Sequence, residues 1–323
     1  MPGTRQPLPA ARVPGMLQGE HDSGAPMNTA IADTGAQDGK LRRFVAHPLV
    51  LLVIGAIMVV AATIGSSALA HLVPHGPGSV WPAFGGLIVA LAVILTYKAF
   101  KRWIERASDR ELELHGALGE LCAGLLLGFL IFSAATGVVA LLGGFEILGL
   151  RGAGNIWPMI ALAFVSGPFE EILFRGLVLR LLEKLVGTWW ALAATSAFFG
   201  LAHLMNPDST LFAAFAIACE AGILLGAAYL VTRRLWLAIG LHSAWNFTQG
   251  WVFSIPVSGG TPPLGLLITR RVGPEWLTGG DFGLEASAVA LVVATVAGFA
   301  MLWVAHRRAP FVLPRWRRTQ TKL

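Results

Sequence analysis

Long apolar runs, separated by short polar or basic segments, occupy most of the chain after its first forty or so residues. A helix of roughly 20 apolar residues is long enough to cross the ~30 Å hydrocarbon core of a bilayer. We therefore predict an all-α fold, a polytopic membrane helix bundle. Its eight predicted transmembrane helices lie at about 46–73, 80–100, 117–143, 155–181, 187–206, 210–232, 235–256 and 284–306.

Composition and charge agree with a membrane location. The chain is 55% hydrophobic and only 13% charged, whereas soluble domains carry about 25% charged residues. Eight crossings return both termini to one side, and eighteen Lys and Arg residues then fall on that side, against three (Arg151, Arg270 and Arg271) on the other. The positive-inside rule predicts that both termini are cytoplasmic. It also explains the net charge of +6 without a nucleic-acid partner.

The chain divides into three predicted parts. Residues 1–44 are rich in Pro, Gly, Ala and Asp, contain no apolar run, and predict a disordered cytoplasmic leader. Residues 45–308 form the transmembrane bundle, and residues 309–323 a basic cytoplasmic tail. Within the bundle, residues 101–115 predict an interfacial helix on the inner side. The outer segment 257–283 is either a lid, a substrate entrance or an inert connector.

Two adjacent carboxylates, Glu170 and Glu171, lie in the middle of the fourth apolar segment. A single charged residue in the bilayer centre costs at least ~2.5–3.5 kcal/mol, so such a pair indicates a function inside the bundle. Arg175 lies one helical turn after Glu171 and can form an ion pair with it. Glu170 points about 100° away around the helix and stays free. A purely structural ion pair would explain Glu171 and Arg175 but not Glu170.

Two further pairs of residues share helix faces. Phe199 and His203 lie one turn apart in the fifth segment, and His242 and Asn246 lie one turn apart in the seventh. His203 alone could be an interfacial histidine, and His242 with Asn246 could be a hydrogen-bonded clip between helices. Polar groups at mid-depth need partners in either case.

Together the three patterns resemble the signature motifs of the CPBP family, the CAAX prenyl proteases and bacteriocin-immunity (Abi) intramembrane proteins. The motifs are Glu170-Glu171-Ile172-Leu173-Phe174-Arg175, Phe199-Gly200-Leu201-Ala202-His203 and His242-Ser243-Ala244-Trp245-Asn246. The resemblance implies an intramembrane endopeptidase whose protease core spans about 155–250. It implies that Glu170 and His203 activate a water and that His242 and Asn246 bind the oxyanion. Glu171 and Arg175 would support them.

The resemblance leaves the role of metal open. Glu170, His203 and His242 could bind zinc, as in a metalloprotease. However, the chain has no His-Glu-x-x-His motif and Asn is a poor zinc ligand, which favours metal-free, glutamate-dependent hydrolysis. The expected partners are a peptide or membrane-protein substrate and the lipid bilayer, and the expected location is a bacterial inner (plasma) membrane. The alternatives are a proton-coupled transporter and a non-catalytic immunity or scaffold protein.

Overall fold

The computed structural model describes residues 42–152, 154–261 and 264–318. The predicted leader therefore lies almost wholly outside the described residues, as does the end of the predicted tail. The helices and strands below all belong to one unit, Val45–Leu323. Its α-helices are α1 Pro48–His71, α2 Trp81–Ala99, α3 Ala117–Leu141, α4 Trp157–Glu171, α5 Arg180–Ala202, α6 Leu211–Ile217, α7 Ile223–Thr232, α8 Trp236–Phe247, α9 Glu275–Thr278, α10 Ala288–Arg308 and α11 Arg315–Arg318.

Several of these helices continue without a break into wider, π-helical turns. These π segments are Phe100–Glu105 after α2, Ile172–Leu179 between α4 and α5, Ala218–Gly222 between α6 and α7, and Thr248–Val252 after α8. Short 3₁₀ turns lie at Arg110–Leu112, His203–Met205 and Leu284–Ala286. A π turn inserts a residue into the helix and shifts the faces that follow it, and such turns are frequent at functional sites.

The predicted helical membrane bundle is confirmed in its main features. Within the described residues, six helical stretches are long and apolar enough to cross a membrane. One of them, Trp157–Met205, has 49 residues and is broken at Gly187, whose φ is 77°. That break falls where the sequence predicts a boundary between two spans. The helix containing His242 is shorter, with 12 residues in α8 and 5 in its π segment. The count of eight spans therefore remains a prediction.

The bundle also contains a small β-ribbon, which the all-α prediction missed. Strand β1, Phe145–Leu150, pairs antiparallel with β2, Leu267–Arg271. The register shifts between Ile147 and Gly149, which marks a bulge. Neither strand shows a clean alternation of apolar and polar residues, and the two are far apart in the chain. Their pairing is therefore a tertiary feature that local pattern does not indicate.

The predicted interfacial helix at residues 101–115 is wrong. The helix that continues from α2 ends at Glu105, and Arg106 takes a left-handed conformation, with φ 54°; only the 3₁₀ turn Arg110–Leu112 follows within this segment. The chain then folds back against the bundle, where Leu112 is fully buried. Lys101 Nζ bonds Glu111 Oε1 at 3.1 Å, inside the fold. Ion pairs thus hold this segment to the protein, whereas an amphipathic helix would lie in the membrane surface.

The connecting segments gather at two ends of the unit, as alternately crossing helices require. At the predicted cytoplasmic end, the Leu235 amide donates to the Glu111 carbonyl at 2.9 Å. At the other end lies a group of segments that we call the cap, residues 253–261 and 264–287. Within it the Gly259 amide donates to the Phe282 carbonyl at 2.7 Å. Phe282 also packs in one buried cluster with Phe174 and Phe199 of the bundle.

Glycines allow α8 to lie very close to two neighbouring helices. A Cβ at Gly124 of α3 would overlap the Leu237 carbonyl oxygen, and a Cβ at Gly240 of α8 would overlap the Leu121 carbonyl oxygen. On the other side, a Cβ at Gly167 of α4 would overlap the Ser243 hydroxyl. Small residues at helix contacts are how membrane bundles bring backbones together. Here they fix the position of α8, which carries His242 and Asn246.

Candidate active site

Glu171 lies at the centre of a cluster of polar side chains, in which Arg175 and His242 are its hydrogen-bond partners. Its side chain is fully buried, and its Oε1 atom accepts hydrogen bonds from Arg175 Nη1 at 2.9 Å and from His242 Nδ1 at 2.8 Å. The ion pair with Arg175 confirms the expectation from helix spacing. The contact with His242 joins the end of α4 to α8. Because an ionised carboxylate can only accept, His242 carries a proton on Nδ1 and presents Nε2 to the other side.

Arg175 connects Glu171 to a third helical segment, the π segment before α7. It lies in the π segment after α4, is fully buried, and donates from Nη2 to the Ala221 carbonyl at 3.0 Å. Its guanidinium lies over the Phe199 ring, 4.6 Å from the ring centre. A planar fork with several donors can make these contacts at once, which an ammonium group could not. Arg175 therefore fixes Glu171 relative to both neighbouring helices.

Glu170 differs from Glu171 in its exposure and in its partners. Its side chain is 21% exposed, and its Oε2 atom lies 3.9 Å from His242 Nε2, beyond hydrogen-bond distance. That oxygen has no hydrogen-bond partner among the described residues. Glu171 is thus held through one oxygen by Arg175 and His242, while its Oε2 is unpaired among the described residues, and Glu170 takes part in no hydrogen bond with either residue. This is the division that the sequence predicts.

Asn246 and His203 are each oriented by one hydrogen bond. Asn246 Nδ2 donates to Ser166 Oγ at 3.0 Å, so a residue one turn before Glu170 holds the amide. His203 lies just past the end of α5, and its Nδ1 bonds the Phe199 carbonyl at 2.8 Å. Since a carbonyl only accepts, Nδ1 carries a proton, and Nε2 is left for a second partner. The Phe199 ring lies between the two histidines, with centroids 4.8 Å from His203 and 6.2 Å from His242.

A cavity brings three of the predicted site residues together. His203, His242 and Asn246 line it, beside Glu220 of the π segment before α7 and Glu285 of the cap. Its apolar wall includes Phe199, Leu224, Leu241 and Trp245. About 40 Å³ is open to the centre of a water molecule, which is room for roughly three waters. Glu170, Glu171 and Arg175 do not line this cavity and connect to it through His242 and Phe199.

Residues 152–248 match a known family model. That model describes the type II CAAX prenyl endopeptidase Rce1-like family. The match contains all three motifs, and it confirms the resemblance predicted from them. Comparison of the chain with curated proteins and with solved structures gave no match.

The metal site considered in the sequence analysis, formed by Glu170, His203 and His242, is not present in the structure of residues 154–248. Among the described residues, no three His, Cys, Asp or Glu side chains form a group that could hold a metal ion. The set Glu170, His203 and His242 therefore does not fit zinc in this arrangement, and no step below passes through a metal.

Three polar residues around the candidate site were not singled out by the sequence analysis. Ser166 orients Asn246, and its position one turn before Glu170 could have indicated a shared helix face. Glu220 is an isolated carboxylate in an otherwise apolar run, a pattern that by itself indicates function in a membrane helix. Glu285 comes from the cap and reaches the cavity only through the tertiary fold, so no local pattern indicated it.

Proposed function

We propose that this chain is an intramembrane endopeptidase that hydrolyses a peptide bond of a peptide or membrane-protein substrate. The observation that carries the proposal is the division of the carboxylate pair. Glu171 is fully buried and held by Arg175 and His242, whereas Glu170 is 21% exposed and lies 3.9 Å from His242, beyond hydrogen-bond distance. An unpaired carboxylate that water can reach is suited to act as a general base.

In the proposed reaction Glu170 removes a proton from a water molecule, and the water oxygen attacks the substrate carbonyl carbon. His203 orients that water through Nε2. The carbonyl oxygen becomes an oxyanion, which accepts hydrogen bonds from His242 and Asn246. The tetrahedral intermediate then collapses, the C–N bond breaks, and Glu170 returns its proton to the departing amine.

The second role of Glu171 follows from its contacts. Donation to an oxyanion requires a proton on His242 Nε2, while Nδ1 is already donating to Glu171. The doubly protonated imidazolium is favoured by two carboxylates, Glu171 at 2.8 Å and Glu170 at 3.9 Å. We therefore assign to Glu171 the orientation and charge of His242 as well as the position of Arg175.

The test compares purified, reconstituted wild-type protein with Glu170→Gln on a library of quenched fluorescent peptides. The matched control is Glu113→Gln, a change of the same kind at an exposed carboxylate away from the site. We expect cleavage by the wild type and the control, and a loss of about 10²-fold or more in Glu170→Gln. Full activity of Glu170→Gln would refute the assignment. Wild-type protein that cleaves nothing, yet carries protons across vesicles in a Glu170-dependent way, would establish the transporter instead.

A further inference from the structure

Glu220 is a buried carboxylate for which the proposed reaction has no use. It is 1% exposed, lines the cavity beside both histidines, and neither of its carboxylate oxygens has a hydrogen-bond partner among the described residues. A charge or strong acceptor left unpaired inside a protein is costly. Both Glu220 oxygens are therefore available to a ligand group that enters the cavity.

Contacts with other residues fix the backbone around Glu220. It lies in the π segment Ala218–Gly222, where Arg175 binds the carbonyls of Ala221 at 3.0 Å and Gly222 at 3.5 Å. Gly222 also allows close approach to α5, because a Cβ there would come within 2.6 Å of the Ser196 Cβ. The same arginine that holds Glu171 thus fixes the backbone beside Glu220. Arg175 therefore stabilises both the backbone beside Glu220 and the proposed catalytic residues around Glu171.

Glu285 is a second carboxylate in the cavity wall, and it is fully anchored. It accepts hydrogen bonds from Gln249 Nε2, from the Ser258 amide at 2.5 Å and from the Ser258 hydroxyl at 3.0 Å. Gln249 lies in the π segment after α8, so this network ties the cap to the helix that carries His242. Two buried acids therefore belong to one cavity, one with its partners in place and the other without them.

The residues that line this cavity include no Lys or Arg. Arg175 already serves Glu171 and two carbonyls. No metal-holding group of three exists among the described residues, which favours an organic cation over a metal ion. The small volume suits a compact ammonium better than a planar guanidinium.

We propose that Glu220, with Glu285 beside it, forms an acidic subsite that receives a lysine side chain of the peptide substrate. This inference rests on the proposed function, because the subsite shares its cavity with His203, His242 and Asn246. The ammonium group forms an ion pair with Glu220, and the lysine methylenes lie along the apolar wall formed by Leu224 and Leu225. The enzyme thereby selects lysine at one position near the cleaved bond.

The first experiment measures kcat/KM on matched peptides that differ only by lysine, arginine, norleucine or glutamate at each position near the cleaved bond. At one position we expect the wild type to prefer lysine over norleucine by about 10-fold or more. In Glu220→Gln this ratio falls to about 1, through loss on the lysine peptide only. Glu275→Gln, an exposed carboxylate of the cap outside this cavity, keeps the wild-type ratio. An equal ratio in wild type and Glu220→Gln, or a preference for glutamate, overturns the subsite.

The second experiment separates this inference from the proposed function. Binding of the same peptides to Glu170→Gln is compared with binding to the double variant Glu170→Gln/Glu220→Gln. Tighter binding of the lysine peptide that disappears in the double variant supports the subsite even if the wild type cleaves nothing. Equal binding of lysine and norleucine peptides overturns it.

Thermal unfolding of Glu220→Gln is a further check. We expect this variant to unfold at the same or a higher temperature than the wild type, because it removes an unpaired acid. A clear decrease would show a structural role and overturn the proposal.

Discussion

At the residue scale, Glu171 makes the contacts whose loss we expect to matter most for stability. Glu171→Gln preserves shape but leaves the buried Arg175 without a counter-ion, and it replaces the charged acceptor of the Arg175 and His242 hydrogen bonds by a neutral one. Breaking a buried ion pair on one side costs about 3–5 kcal/mol. We expect a lower unfolding temperature and lower activity together, measured on one preparation. Glu113→Gln should change neither. A Glu171→Gln protein with wild-type stability and reduced activity would show that Glu171 acts only in catalysis.

For Asn246 we predict an effect on the catalytic rate rather than on stability. Its amide is held by Ser166, and its second amide hydrogen is available to an oxyanion. Asn246→Ala should lower kcat by about 10²–10³-fold with KM nearly unchanged, as for the loss of one oxyanion donor. The matched control is Asn206→Ala, in the segment beyond His203. A loss of stoichiometric zinc from purified Asn246→Ala or His242→Ala would disprove the oxyanion role and support a metalloprotease.

The sequence predicted those contacts that lie within a single helix. Glu171 and Arg175 are one turn apart, so their ion pair follows from helix geometry alone. The contact of His242 with Glu171 joins residues on different helices, and its existence depends on how closely α4 and α8 approach. Only the assembled bundle could reveal that contact, and the same holds for the contact of Arg175 with the carbonyls before α7.

At the element scale, the close packing of α3 against α8 should control the position of His242. Gly124→Ala would force a methyl group into the Leu237 carbonyl, whereas Gly137→Ala, in the same helix, meets open space. We expect Gly124→Ala to lose about 1–3 kcal/mol, as overpacked sites do, and to lose activity as α8 shifts. Gly137→Ala should be neutral or slightly stabilising. Thermal unfolding and peptide cleavage measure both variants, and equal behaviour of the two would refute the packing argument.

The elements differ in how well the sequence predicts them. Apolar length indicates the membrane helices, and the boundary near Gly187 was predicted within a few residues. The π segments were not predicted, because a one-residue insertion leaves the apolar pattern nearly unchanged. Residues 101–115 have the spacing of an amphipathic helix, yet buried ion pairs such as Lys101 with Glu111 hold the chain in a folded-back loop. Tertiary contacts, rather than the local sequence pattern, therefore determine the conformation of residues 101–115.

At the scale of the whole molecule, two groups of connecting segments lie at opposite ends of the helices. One end includes the segments around Glu111 and Leu235, joined by a backbone hydrogen bond. The other includes the β-ribbon and the cap, which contributes Ser258 and Glu285 to the cavity. The arrangement of basic residues predicts that the first end is cytoplasmic. The cavity would then lie under a cap on the outer face, and a substrate would reach it from the membrane or from outside.

Cysteine labelling in intact cells tests this orientation. Cys122 and Cys219 are first replaced, and single cysteines are then placed at two exposed positions, Thr261 in the cap and Ser108 at the opposite end. We expect an impermeant thiol reagent to label Thr261→Cys in intact cells and Ser108→Cys only after the membrane is permeabilised. The reverse pattern would put the cap in the cytoplasm and contradict the charge argument, because the eighteen basic residues would then face outward. A substrate would then reach the cavity from the membrane or from the cytoplasm, so the labelling result decides on which side of the membrane the cap lies.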